Sequence, residues 1–166
     1  IDLGGLTKEW FSCVVKEIFN TDFGLFSKSE NESYHPSPLS YVNSNHVEYF
    51  KLSGLIIGLS LLHDQNVSAH LSIAFIRQIL HQQLIVKDLE DYDESLMKSL
   101  QSILEMKDAK QLDLVFSIND NQFGKVTSID LIKNGSKIQV TNSNRNQYVS
   151  LYTDYKLKKS VKCQIT

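Results

Sequence analysis

Two cysteines, five histidines and a short acidic run are the side chains in this sequence whose chemistry could be catalytic. A thiol becomes a nucleophile when a neighbouring cation or base stabilises its thiolate. Cys13 has no histidine or cation beside it in sequence and lies next to an apolar helical face, so a buried, inert thiol is expected. Cys163 stands at the far end of the chain, and the two form no CxxC pair. His35, His46, His63, His70 and His81 never fall four apart on one helix beside a carboxylate, which gives no metal-ligand pattern. The carboxylates of Asp88, Glu90, Asp91, Asp93 and Glu94 read as a solvated turn whose charge favours the start of the next helix. There is no glycine-rich phosphate loop and no GxSxG elbow. No catalytic group, metal or cofactor is therefore expected from this stretch.

Recognition is the better-supported chemistry. From Glu94 onward, Leu96, Met97, Leu100, Ile103, Leu104 and Met106 recur at helical spacing before Lys107. At about 100° per residue they cover roughly half of a helix, somewhat wider than the stripe one core face needs. One edge can pack inward while the other meets a partner.

The rest of the chain must hold that helix. Its 166 residues, 42% hydrophobic and 22% charged, suit one ordinary domain or two small subdomains. A net charge of −2 offers no bulk attraction to nucleic acid or an acidic membrane. No apolar run is long enough to span a bilayer. Two distant cysteines fit a reducing compartment, hence an intracellular protein, cytoplasmic or nuclear. Ile1–Gly5 and Lys162–Thr166 do not read as natural termini, so an excised piece of a longer protein is expected.

In chain order, Gly4-Gly5 reads as a break and Thr7 as the cap of a helix from Lys8 to about Phe19, with Trp10, Val14 and Ile18 on its apolar face. Gly24–Phe26 reads as a short extended piece, and residues 27–45, which hold both prolines, as a surface loop. A second helix is expected from His46 to Leu62, where Gly54 and Gly58 permit close helix packing. A third, from about His70 to Gln82, is apolar nearly all round and so expected to be buried. Beyond the acidic run and its helix, strands are expected over 112–118 and 126–132, with Asn134-Gly135 as a hairpin turn into 137–140. Thr141 or Asn142 can cap a last helix on which Tyr148, Leu151, Tyr152 and Tyr155 share a face. Lys156, Lys158, Lys159 and Lys162 read as its solvated side.

Asp2-Leu3-Gly4-Gly5-Leu6-Thr7-Lys8-Glu9-Trp10-Phe11, then Lys16–Asn20 and Gly24-Leu25-Phe26, resembles the opening of the HECT domain N-lobe. Tyr49-Phe50-Lys51, Gly54, Ile57-Gly58, Leu112–Phe116, Phe123-Gly124, Asn134-Gly135, Val140-Thr141 and Tyr148 to Tyr155 continue the likeness in order over essentially the whole chain. The resemblance implies an α+β fold: a mainly helical larger subdomain (residues 1–83), a smaller one with helices and a short β-hairpin sheet (84–158), and a return to the larger (159–166). It further implies a ubiquitin-protein ligase, whose N-lobe docks a ubiquitin-conjugating enzyme carrying ubiquitin. A cysteine of the C-lobe then takes the ubiquitin by covalent catalysis and passes it to a substrate lysine. Neither Cys13 nor Cys163 holds that position, so the stretch alone is expected to be inactive, and protein substrates to be met by regions outside it.

By the same resemblance, a shallow apolar groove for an aromatic side chain of the conjugating enzyme is lined by Leu96, Ser99, Leu100, Ile103, Met106, Leu114, Tyr148 and Tyr152. Leu112 is a further member. Leu100 and Tyr148 would be its central contacts. Met106 stands where some members have an aromatic, and Ser27-Lys28-Ser29 lacks the tyrosine that some members use for a second, noncovalent ubiquitin. The rival expectation is a noncatalytic protein-interaction domain with the N-lobe fold.

Overall fold

The computed structural model describes residues 5–165. It is α+β and mainly helical, with two small antiparallel sheets. The first half contains helices α1 (Gly5–Ile18), α2 (His46–Leu62) and α3 (Ile73–Ile79), and strands β1 (Phe26–Lys28) and β2 (Tyr34–Pro36). The second half contains α4 (Glu94–Glu105), strands β3 (Ser117–Gln122) and β4 (Lys125–Asp130), and α5 (Arg145–Leu157). A short helix, α6 (Lys162–Ile165), packs back against α2.

Two apolar cores result. Phe11, Val15, Ile18, Phe19, Leu25, Phe26, Phe50, Ile56 and Phe75 form the first. Leu89, Met97, Leu100, Ile103, Phe116, Ile118, Leu131, Val140, Tyr148, Val149 and Leu157, with Ala74, form the second. Helix α3 stands between them: neighbouring residues Ala74 and Phe75 enter different cores. Asp91 ties the halves together, its carboxylate accepting from the Ile73 backbone N–H (3.2 Å) and the Asn31 amide (2.8 Å). Its carbonyl accepts from the Ser33 hydroxyl at 2.9 Å.

Several expectations change. The Gly4-Gly5 break falls partly outside the described residues, while Gly5 is already helical and Thr7 lies inside α1. A threonine inside a helix costs only tenths of a kcal/mol, roughly, so it fixes no boundary. Phe11, Val15 and Ile18 set the buried line of α1, four and three residues apart. Cys13 is turned about 200° from Phe11 and is exposed, and Trp10 is half-exposed. Residues 27–45 are not simply a loop, because β1 and β2 pair there and Ser33, Ser37 and Ser40 are buried. Helix α3 is shorter than expected, is capped by Ser72, and leaves Ile73, Ile76 and Ile79 exposed. Gly54 and Gly58 face open space rather than a packed helix, beside a groove that Ile57, Leu61 and Ile79 help to line.

In the acidic run, Asp93 caps α4 by accepting from the Leu96 N–H at 2.8 Å. Asp88, however, is buried rather than solvated, paired with Arg77 at 3.1 Å and accepting from the Ile85 N–H at 2.8 Å. The hairpin turn is Phe123-Gly124, both at positive φ (51° and 81°), not Asn134-Gly135. Asn119 to Gln122 are polar, so the solvated half of β3 carries no apolar alternation, and the expected strand over 112–118 sits too early; Ala109–Leu112 form a 3-10 turn instead. Asn144, rather than Thr141 or Asn142, is the cap residue of α5. The four lysines do not share one helix: α5 ends at Leu157, and Lys156 is largely buried 3.7 Å from Asp120.

Gly135 is needed for a steric reason, since a Cβ there would stand 2.1 Å from the Phe116 carbonyl oxygen. Gly135→Ala should destabilise the chain by at least about 2 kcal/mol in urea unfolding, through forced backbone movement. Asp88→Ala should cost roughly 1–3 kcal/mol by stranding the Ile85 N–H and the Arg77 guanidinium, with a smaller loss for Asp88→Asn.

Candidate partner-docking surface

Helices α4 and α5 pack against each other, with the start of α5 at the C-terminal end of α4. Arg145, at the start of α5, donates through Nη1 to the carbonyls of Met106 and Ile103 (3.5 Å for the latter) at the C-terminal end of α4. A guanidinium there satisfies carbonyls that have no helical partner and complements the negative end of the helix dipole. Asn142 extends the latch, donating to the Lys107 carbonyl at 2.7 Å and accepting from the Ala109 N–H at 2.8 Å. Asn144 steadies the approach to α5 by accepting from the Thr141 N–H (2.7 Å) and donating to the Gln139 carbonyl (3.0 Å). The connection after α4 is thereby fixed against the start of α5.

Between these helices the expected groove residues divide into a floor and a rim. Leu100 (1% exposed), Tyr148 (3%) and Ile103 (8%) belong to the core. The Tyr148 ring meets Phe116 edge to face at 5.5 Å and Tyr152 at 5.9 Å. Leu96, Met106, Leu114 and Tyr152 are partly buried, and Ser99 is exposed, its hydroxyl donating back to the Ser95 carbonyl at 2.9 Å. Leu96, Ser99 and Ile103 lie three and seven residues apart along one edge of α4, and Met106 is the extended residue that ends the helix. Leu112 and Ile138 are more than a third exposed; nothing in the apolar periodicity marks Ile138.

Burial pushes the Tyr148 phenol up to about 12, with Tyr152 adding to the shift. Burial first, then Asp93 and Asp120, raises Tyr152 as well. Both rings are therefore neutral near pH 7, and the surface offers apolar and aromatic contact rather than an acid or base. Among the described residues no three His, Cys, Asp or Glu side chains are grouped to hold a metal, and no helix is long and apolar enough to cross a membrane. Sequence reading missed Arg145 and Asn142 as the latch. Asn142 stood out only as a possible cap, and nothing local distinguishes Arg145 from any other surface cation.

The sequence from residue 12 to residue 166 matches the family model described as HECT-domain (ubiquitin-transferase). The chain is 37% identical to an E3 ubiquitin-protein ligase TOM1-like of Neurospora crassa, with 99% of this chain and 4% of the relative covered. It is also 37% identical to the E3 ubiquitin-protein ligase pub1 of Schizosaccharomyces pombe, with 99% and 22% covered. For the E3 ubiquitin-protein ligase RSP5 of Emericella nidulans the identity is 35%, with 99% and 20% covered. The chain thus spans about a fifth or less of the length of these relatives. A mainly helical α+β body, and this match along nearly its whole length, lead to one assignment: the chain belongs to the HECT-domain family.

Proposed function

We propose that this chain is the N-lobe part of a ubiquitin-protein ligase and that its own activity is to dock a ubiquitin-conjugating enzyme carrying ubiquitin. The docking surface is the edge between α4 and α5: Leu96, Ser99, Met106, Leu114 and Tyr152 make the contacts, and Leu100, Ile103 and Tyr148 support them from beneath. The observation that carries this reading is the partly exposed apolar edge of Leu96, Met106, Leu114 and Tyr152 beside the buried Leu100, Ile103 and Tyr148. In this reading residues 84–158 are the enzyme-binding subdomain, and residues 159–166 return to the body formed by residues 1–83.

The reaction of the whole protein would have two acyl transfers. A C-lobe thiolate attacks the carbonyl of the enzyme–ubiquitin thioester, forming a new thioester and releasing the conjugating enzyme's thiolate. A substrate lysine amine then attacks that thioester, forming an amide and freeing the cysteine. This chain contributes position and orientation to the first step and no reacting group. Protein substrates are met by other regions of the full-length protein.

Binding to a panel of ubiquitin-conjugating enzymes tests the surface. Tyr152→Ala and Leu96→Ala should weaken docking by roughly 1–3 kcal/mol. Ser99→Arg, on an exposed position that bears on no core contact, should lower affinity at least about tenfold, or roughly 1.4 kcal/mol, without changing the melting temperature. Equal binding by wild type and all three variants would remove the assignment. Absence of binding to every enzyme of the panel would favour a noncatalytic interaction domain, as would a reading frame after Thr166 that encodes no C-lobe cysteine.

Incubation with a ubiquitin-loaded conjugating enzyme tests the division of labour. The chain should form no thiol-reducible ubiquitin adduct. An adduct abolished by Cys13→Ser or Cys163→Ser would place a transfer nucleophile here after all.

A further inference from the structure

The seam between the two halves contains a histidine with an unusual setting. His35 lies on β2 opposite Ser27 of β1, and its ring packs on that of Tyr92, 4.5 Å away, in the connection leading to α4. Its Nδ1 is buried and has no hydrogen-bond partner. The same hairpin reaches the same connection through Asn31 and Ser33, both bonded to Asp91. The contact is thus a few polar links around Asp91 and one ring pair.

We propose that His35 is a proton-sensitive keystone of this seam, whose protonation releases the β1–β2 hairpin from residues 91 and 92. An imidazolium needs acceptors for both nitrogens and a counter-charge. The surrounding carboxylates are engaged elsewhere. Asp91 accepts from Ile73 and Asn31, and Asp93 caps α4. Asp120, whose charge reaches Tyr92, is held by Gln122 (2.8 Å), Tyr155 (3.2 Å) and Lys156 (3.7 Å). On the hairpin side, Lys28 pairs with Glu32 at 3.0 Å, and the His70 carbonyl accepts from the Tyr34 N–H at 2.7 Å. Tyr92 is itself held neutral, its phenol raised first by burial and then by Asp93 and Asp120. Among the described residues no hydrogen bond or ion pair compensates a positive charge on His35, and burial lowers it from the ordinary 6.5 to about 4.

The direction follows from linkage. Released, the imidazole regains its ordinary affinity for a proton, so the open form binds protons more tightly. The closed seam is fully favoured above about pH 6.5 and is progressively lost as pH falls towards 4. The two values imply an opening equilibrium roughly 20-fold larger near pH 5 than near pH 7.

Imidazole NMR titration of the whole chain, with protection factors for the Ile73 amide that Asp91 holds, tests this. His35 should titrate near 4, and Ile73 protection should fall roughly 20-fold more between about pH 7 and pH 5 in wild type than in His35→Gln. His35→Phe, which keeps a ring on Tyr92 and cannot titrate, provides a second comparison should the glutamine variant pack poorly. It should hold the seam closed over the same range. Titration of His35 near 6.5, or an equal loss of protection in the phenylalanine variant, would overturn the proposal.

Discussion

The packing of α4 on α5 over Leu100, Phe116 and Tyr148 is the constraint on which the second half of the molecule depends. Each helix commits one stripe to that core and is left with one free edge. Removing Leu100 or Tyr148 would disturb the core, because both are buried in it; only the rim of this edge meets solvent.

Packing alone leaves the ends of the helices free, and polar contacts complete their placement. Arg145 and Asn142 occupy orphaned carbonyls and an N–H at the end of α4 and just beyond it. Asp93 does the same at its start. Asp91 makes two sets of contacts, accepting from the first N–H of α3 with its carboxylate and holding the β1–β2 hairpin. With Asp88 paired to Arg77, one member of the acidic run is a buried anchor, while Glu90, Asp93 and Glu94 stay exposed before and at the start of α4.

The first half carries a different signature. Leu52, Leu55, Leu61 and Leu62 of α2 are exposed, as are Ile73, Ile76 and Ile79 of α3. Exposed apolar surface of this extent is the kind that marks contact sites, and the chain spans about a fifth or less of the length of these relatives. These exposures also explain why helix hydrophobicity overstated burial: α2 and α3 are apolar around most of their circumference, yet only Phe50, Ile56, Ala74 and Phe75 among their large or small apolar side chains are fully covered.

What the sequence determined by itself was the inventory of helices and the family likeness. Residues 46–62 and 94–105 obey the helical period over three or more turns, and local backbone preference suffices to place such segments. The apolar edge of α4 and the tyrosine spacing of α5 were legible for the same reason. Only the tertiary structure decided which of those residues are floor and which are rim, because burial depends on what the opposite element brings. Asn134-Gly135 and Phe123-Gly124 are both capable turns, and strand pairing between residues 117 and 130 chose the second. The latch at Arg145 and the neutral His35 pressed on Tyr92 join residues 39 to 57 positions apart. No local pattern encodes such meetings, since they exist only once two separately formed elements are packed together.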